Sequence, residues 1–241
     1  MIYLYNGVSV RYEIIGGGNG IPILLLHGWG ASGNVFDNII DKFSSRTFIK
    51  IDFPPFGESE KNIENWNIFT YVNMIMSLCE FLKIEKCDIL GHSFGGRIAI
   101  ILSAVKRSLV HSCILCDSAG MKPKRNLKYY FKVYQYKVYK KIGKDISKFG
   151  SRDYQDLAPN LKHVFNSIVS THLEDYAKKM AVRTLIIWGR NDKETPLYMA
   201  KRLNKLIKGS SLKIIDNAGH FPFLDCQFEF YKILSYFLEE L

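Results

Sequence analysis

Residues 87–101 read CDILGHSFGGRIAII, and this stretch decides the fold. Its first part is typical of a buried strand, and the run after Gly95 predicts a helix. Gly91 and Gly95 flank Ser93 in the pattern G-x-S-x-G. A serine on a sharp strand-to-helix turn needs such neighbours, because a Cβ at either position would collide with nearby backbone. The turn therefore predicts that Ser93 is a candidate nucleophile at a helix N-terminus.

Strand-like and helix-like patterns alternate on both sides of this turn. Further buried strands are predicted from the apolar runs IPILLLHG (21–28), RTFIKIDF (46–53), LVHSCILCD (109–117), VRTLIIWG (182–189) and SLKIID (211–216). Helical patterns cover Asn67–Leu82, Pro196–Lys208 and Cys226–Leu241. Residues 1–20 read as a hairpin around Asn6-Gly7. This order predicts an α/β protein with a mostly parallel central sheet flanked by helices.

The alternation stops between residues 121 and 180. This stretch is helix-like and rich in Tyr and Lys, and the strand pattern resumes after it. We therefore expect a helical cap or lid at 121–180, inserted into a core formed by residues 1–120 and 181–241.

Most of the positive charge lies in one segment. The net charge is +10, and residues 121–153 hold eleven Lys or Arg against two acids. The segment is interpreted either as a solvated lysine-rich helix face or as a surface that steers anionic substrates to the site. Binding to an anionic membrane surface or to nucleic acid is less favoured, and no nucleic-acid partner is expected.

Composition narrows the other possibilities. The chain has 241 residues, 47% of them hydrophobic, which suits one globular α/β domain with an insertion. No apolar run reaches membrane length and residues 1–10 show no secretory signal, so a cytoplasmic location is expected. Cys113 and Cys116 form C-x-x-C inside a predicted strand, where they would point to opposite faces. No metal or organic cofactor is predicted.

A serine hydroxyl needs a base, and the chain has six histidines: His27, His92, His111, His163, His172 and His220. His220 follows the last strand, in DNAGHFPF, and so belongs at the same sheet edge as Ser93. His111 begins a strand and belongs at the opposite edge. His27 is expected to shape the first glycine-rich loop, and His92 to point away along the turn.

The acid that orients the base has two candidates. Asp192 lies in GRND after the strand TLIIWG and gives the chain order Ser93, Asp192, His220. Asp117 ends the preceding strand and is its rival. Asp192 is preferred, because loop order and local context both fit.

Acyl transfer also requires donors for a developing oxyanion. We expect the backbone N–H of Phe94, next to the nucleophile, to be one of them. The second is expected from Trp29, in the loop His27-Gly28-Trp29-Gly30 that follows the strand IPILLL.

The motifs HGWG, DFPPFGES, GHSFGG, GRND and NAGH occur in this order along nearly the whole chain. Together they resemble the α/β-hydrolase superfamily, and most closely its capped branch of carboxylesterases, meta-cleavage-product C–C hydrolases and cofactor-free haloperoxidases. The resemblance implies the α/β-hydrolase fold, a Ser93-His220-Asp192 triad and an oxyanion hole at Trp29 and Phe94. Dehalogenases and epoxide hydrolases of this fold carry Asp at the position of Ser93. Pro55 departs from the family pattern, which has Gly there.

Three functions are compatible with these residues. The first is hydrolysis of a small-molecule carboxylic ester or thioester through an acyl-enzyme, with a substrate that the basic segment suggests is anionic. The second is C–C bond hydrolysis of a dienoic diketone acid by the same triad. The third is a non-catalytic ligand receptor, which an intact triad argues against.

Overall fold

The computed structural model describes residues 1–18, 20–124 and 157–239, together with 131, 134–136, 138, 139, 141, 142 and 144. In these residues one sheet is formed by β1 (Ile2–Tyr5), β2 (Val8–Ile15), β3 (Ile23–Leu26), β4 (Phe48–Ile51), β5 (Cys87–His92), β6 (Val110–Cys116), β7 (Arg183–Gly189) and β8 (Ser211–Ile215). Their order is β1-β2-β4-β3-β5-β6-β7-β8. The β1–β2 and β2–β4 pairs are antiparallel, and the other neighbours are parallel. The predicted α/β class is confirmed.

Helices connect the strands and cover the sheet. They are α1 (Asp37–Lys42), α2 (Ile68–Phe81), α3 (Phe94–Val105), α4 (Pro159–Ser170), α5 (Glu174–Lys179), α6 (Tyr198–Leu206), α7 (Pro222–Asp225) and α8 (Gln227–Glu239). The predicted helices begin and end within two residues of α2, α6 and α8. None of the helices in the described part of the chain is both long enough and apolar enough to cross a membrane.

The N-terminal hairpin forms as Asn6-Gly7 predicts. Tyr5 pairs with Val8, and the two residues between them have φ of 49° and 82°. Positive φ at both central positions matches the right-handed twist of the two strands. The hairpin adds β1 and β2 to the edge of the sheet, away from the strands that carry the candidate site.

Strands β3 to β7 are buried on both faces, which accounts for their continuous apolar sequences, whereas β8 at the sheet edge is partly exposed. Residues of α2 and α3 pack on one face, and residues of α1, α7 and α8 pack on the other. Cys113 belongs to the first of these cores and Cys116 to the second. The expectation that this C-x-x-C points to opposite faces is confirmed, so the pair shares no site.

Helices α4 and α5 lie in the chain between β6 and β7, inside the stretch expected to form a cap. The Arg97 guanidinium of α3 donates hydrogen bonds to the carbonyls of Ile168 and Thr171, at 3.0 and 2.8 Å. Much of the basic segment 121–153 lies outside the described residues, and the cap stays a prediction.

Candidate active site

Ser93 lies on the turn between β5 and α3. Its backbone has φ 48° and ψ −107°, a conformation that residues with a Cβ rarely adopt. A Cβ on Gly91 would lie 2.7 Å from the Gly95 carbonyl oxygen, and a Cβ on Gly95 would lie 1.9 Å from the Leu26 carbonyl oxygen. Both distances are too short for a side chain, so the two glycines of G-x-S-x-G are required for the close packing of this turn.

The structure brings His220 and Asp192 together. Asp192 follows β7, His220 follows β8, and both loops emerge at the carboxyl edge of the sheet, as Ser93 does. His220 Nδ1 donates a hydrogen bond to Asp192 Oδ2 at 2.8 Å. The imidazole thereby takes the tautomer that leaves Nε2 to receive a proton.

Asp192 is surrounded by donors. Its Oδ1 accepts the backbone N–H groups of Glu194 and Thr195, at 2.8 and 3.0 Å, and Oδ2 also accepts the Thr195 hydroxyl at 2.6 Å. Burial acts to raise the pKa of Asp192, but hydrogen bonds from His220, Asp117 and Thr195 hold that pKa well below its usual range. Asp192 is therefore ionised at neutral pH. The sequence analysis missed Thr195. The signal that could have indicated it is an Asp that is followed closely by Thr, because both side chains often bond to nearby backbone groups in turns.

The sequence analysis also did not indicate that Glu194 lies at this site. Its Oε2 lies 3.3 Å from His220 Nε2, while its side chain is 66% exposed. No hydrogen bond joins Ser93 to His220 among the described residues, and Nε2 faces Glu194 instead. Catalytic hydrogen bonds are often long in proteins without substrate and tighten when it binds.

The other histidines at this edge have different partners. His27 is fully buried, with Nδ1 donating to the Gly28 carbonyl and Nε2 accepting the Phe53 N–H, and burial lowers its pKa to about 4. His92 was expected to point away along the turn. It instead packs against His220 and donates from Nε2 to the His220 carbonyl at 2.7 Å, because its strand ends directly beneath that loop.

Two of the remaining histidines, His163 and His172, line a surface groove with Asn166 and Ser167. His111 contacts Asp88 at the opposite edge of the sheet, as predicted.

Phe94 follows the nucleophile directly, and the loop that carries Trp29 runs beside it. The Gly95 N–H donates to the His27 carbonyl at 3.0 Å, which ties the loop after β3 to the start of α3. A Cβ on Gly28 would lie 3.4 Å from Ser93 Cβ, so this loop runs against the serine. Across the described ranges, the backbone N–H groups of Trp29 and Phe94 have no acceptor. Donors without a protein partner are the feature that an oxyanion site requires.

The rival acid, Asp117, lies next to Asp192 and does not replace it. The carboxyl oxygens of the two residues and a ring nitrogen of His220 lie within 4.8 Å of one another. Burial is the largest cause that raises the pKa of Asp117 to about 10, and the hydrogen bond and charge of the neighbouring Asp192 add to it.

Aromatic rings surround the Trp29 side chain. Its ring centroid lies 4.9 Å from that of Phe56, 5.5 Å from Phe94 and 5.3 Å from Phe165 of α4. Apolar rings from the core and from α4 therefore meet at the loop that follows β3.

Comparison with known proteins agrees with this architecture. A family model described as the α/β hydrolase fold matches residues 21–158 and 118–226. An uncharacterized hydrolase of Bacillus subtilis (strain 168), YugF, is 26% identical over 255 residues, covering 90% of each chain.

Two solved structures share the fold. An esterase from Exiguobacterium antarcticum has a TM-score of 0.79 at 24% identity, covering 99% of this chain and 98% of the esterase. A meta-cleavage product hydrolase from Pseudomonas fluorescens IP01 has a TM-score of 0.75 at 23% identity, covering 100% of this chain and 97% of that hydrolase.

Proposed function

Since the chain belongs to the α/β-hydrolase family, we propose that it is a serine hydrolase of small carboxylic esters or thioesters. Ser93 is the nucleophile, His220 the general base and Asp192 the acid that orients it. The observation that carries this proposal is the 2.8 Å hydrogen bond from His220 Nδ1 to Asp192 Oδ2, at the same sheet edge as the strained Ser93 turn. A hydrolase of this fold needs these parts at that edge.

In the proposed reaction, Ser93 Oγ attacks the substrate carbonyl carbon while His220 Nε2 takes the hydroxyl proton. The N–H groups of Trp29 and Phe94 stabilise the oxyanion of the tetrahedral intermediate. When the intermediate collapses, His220 gives its proton to the departing alcohol or thiol, which leaves an acyl ester on Ser93. Water then attacks this ester with His220 as base, and the carboxylic acid is released.

We further propose that residues 121–180 form a cap over the pocket. The ring contact between Phe165 and Trp29 supports this, because it joins α4 to the loop that carries an oxyanion donor. The substrate is then a small molecule whose acyl part contacts aromatic rings. The positive charge of residues 121–153 favours a substrate that carries a negative group.

The same charge favours one alternative, C–C bond hydrolysis of a dienoic diketone acid by the same residues. Such a substrate is anionic, and its cleavage would also begin at Ser93. A preference for dienoic acids over neutral esters would identify this reaction.

The test is hydrolysis of p-nitrophenyl esters of increasing acyl length by the wild-type protein, Ser93→Ala and His220→Gln. Ser235→Ala is the matched control, because Ser235 lies in α8 and its hydroxyl donates to Glu239. We expect hydrolysis by the wild type and the control, and a loss of about 10³-fold or more in kcat in the other two. Equal rates in Ser93→Ala and the wild type would contradict the proposal. Absence of ester hydrolysis with turnover of a dienoic diketone acid would favour the alternative.

A further inference from the structure

A second buried carboxyl group lies behind the Asp192–His220 pair. Asp117 follows β6 directly, is fully buried, and has the positive φ of 42°. Backbone in this region is unfavourable for a residue with a Cβ, and such residues concentrate at functional sites. The conformation directs the Asp117 carboxyl toward the loop after β7, where it meets Asp192.

Two carboxylates in contact and out of water cannot both be ionised without strong repulsion. The hydrogen-bond donors decide which of the two keeps a proton. Asp192 accepts from His220 Nδ1, from two backbone N–H groups and from the Thr195 hydroxyl. Asp117 accepts one backbone N–H, that of Gly189 at 3.0 Å, and faces the weakly donating Cys116 thiol at 3.6 Å. Because Asp192 accepts more hydrogen bonds, its carboxylate is better stabilised, and Asp192 carries the negative charge.

We propose that Asp117 is a positioning residue: it remains a neutral carboxylic acid and donates its O–H to Asp192, so that Asp192 Oδ2 stays directed at His220 Nδ1. This inference rests on the proposed function, because it assigns a task that matters only if His220 is the base. Asp117 touches no substrate and acts through Asp192.

The surroundings of Asp117 agree with this assignment. The titratable groups that face it are Asp192 after β7, His220 after β8 and Cys116 of β6. His92, at the end of β5, packs against the His220 ring. Burial raises the pKa of Asp117 to about 10 and lowers the pKa of His92 to about 3. It also raises the pKa of the Cys116 thiol well above its ordinary value. Within this set Asp192 is then the one anion at neutral pH.

Replacement by asparagine is the decisive variant. In Asp117→Asn the side-chain oxygen can still accept the Gly189 N–H, and the amide can still donate to Asp192. Asp117→Ala removes both contacts. We expect Asp117→Asn to keep kcat within about threefold of wild type, and Asp117→Ala to lose about 10- to 100-fold in kcat with KM little changed, since one hydrogen bond to a charged group is lost.

The pH profile separates positioning from a purely structural role. In the wild type we expect ester hydrolysis to fall as pH rises through about 10, because Asp117 then ionises and repels Asp192. Asp117→Asn has no proton to lose there, so this alkaline fall should be absent. A variant with the same fall as wild type, or with the same loss of kcat as Asp117→Ala, would overturn the assignment.

A second measurement does not depend on activity. Infrared difference spectra at pH 8 between wild type and Asp117→Asn should show the carbonyl stretch of one protonated carboxylic acid, also present in Ser93→Ala. Asp88→Asn is the matched control, since Asp88 is a buried aspartate at the opposite edge of the sheet, paired with His111 and Ser112. If the band is present but no ester is hydrolysed, the proposed function fails and the protonation stands. If the band is absent, the inference about Asp117 fails whatever the activity.

Discussion

The strained turn at Ser93 can be tested by its cost to stability. Ser93 has φ 48° and ψ −107°, and glycine adopts this conformation without a steric penalty, whereas alanine does not. Ser93→Gly and Ser93→Ala both remove the nucleophile. They therefore differ in the backbone energy of this one residue, so the Ala variant is the reference for the Gly variant.

The magnitude follows from two opposing contributions. A residue with a Cβ in so sparsely populated a region costs about 1–3 kcal/mol, which Ser93→Gly relieves. Glycine also loses more backbone entropy on folding, which offsets about 0.5–1 kcal/mol of that gain. Taking the middle of each range, we expect Ser93→Gly to be more stable than Ser93→Ala by about 1 kcal/mol, and to melt about 2–4 °C higher.

The assay is urea unfolding and thermal melting of the two variants side by side. Ser77, in the middle of α2, provides the control, because glycine in a helix interior should be less stable than alanine by about 1 kcal/mol. The order of stability should therefore reverse between the two positions. If glycine is no more stable than alanine at Ser93, the turn is not strained and the reasoning is refuted.

Three further predictions follow from the same contacts. A Cβ on Gly95 would lie 1.9 Å from a carbonyl oxygen of β3, so Gly95→Ala should lower the free energy of unfolding in urea by about 1–3 kcal/mol or more, whereas Gly17→Ala, with open space around it, should change little. A stable Gly95→Ala would contradict the close packing. Asp117 has a pKa of about 10 in the folded protein and an ordinary one when unfolded, so folding takes up a proton between about pH 4 and 10 and stability falls as pH rises. When unfolding is measured at several pH values, the free energy of unfolding of Asp117→Asn should rise relative to that of wild type by up to about 1.4 kcal/mol per pH unit. A difference that does not change with pH would contradict the raised pKa of Asp117. Glu194 Oε2 lies 3.3 Å from the His220 nitrogen that must receive the Ser93 proton. Glu194→Gln removes the charge that competes with Ser93 for this nitrogen, so it should raise kcat/KM for a neutral ester by about two- to tenfold, and a lower value would show that Glu194 assists the reaction.

Local sterics made much of the fold predictable from the sequence. The glycines around Ser93 and the Asn6-Gly7 pair each specify a backbone conformation that few other residues allow. Continuous apolar runs predicted the buried parallel strands, and their order placed the loops of Asp192 and His220 at the edge that carries Ser93.

Contacts between distant loops could not be predicted in the same way. The sequence suggested Asp117 and Asp192 as competing acids, because each follows a strand that ends at this edge. Only the spacing of β6 and β7 brings the two carboxyl groups into contact. The position of Glu194 against His220 and the hydrogen bond from His92 to the His220 carbonyl likewise depend on how three loops pack together.

The central claim is that Ser93 is a nucleophile activated by His220, and covalent labelling tests it most directly. Wild type, Ser93→Ala and His220→Gln would be treated with a fluorophosphonate, and the adduct measured by intact-protein mass and located by peptide mapping. The account predicts one adduct in the wild type, on the peptide that contains Ser93, none in Ser93→Ala, and much slower labelling in His220→Gln. An adduct on another residue, or equal labelling of all three proteins, would contradict it.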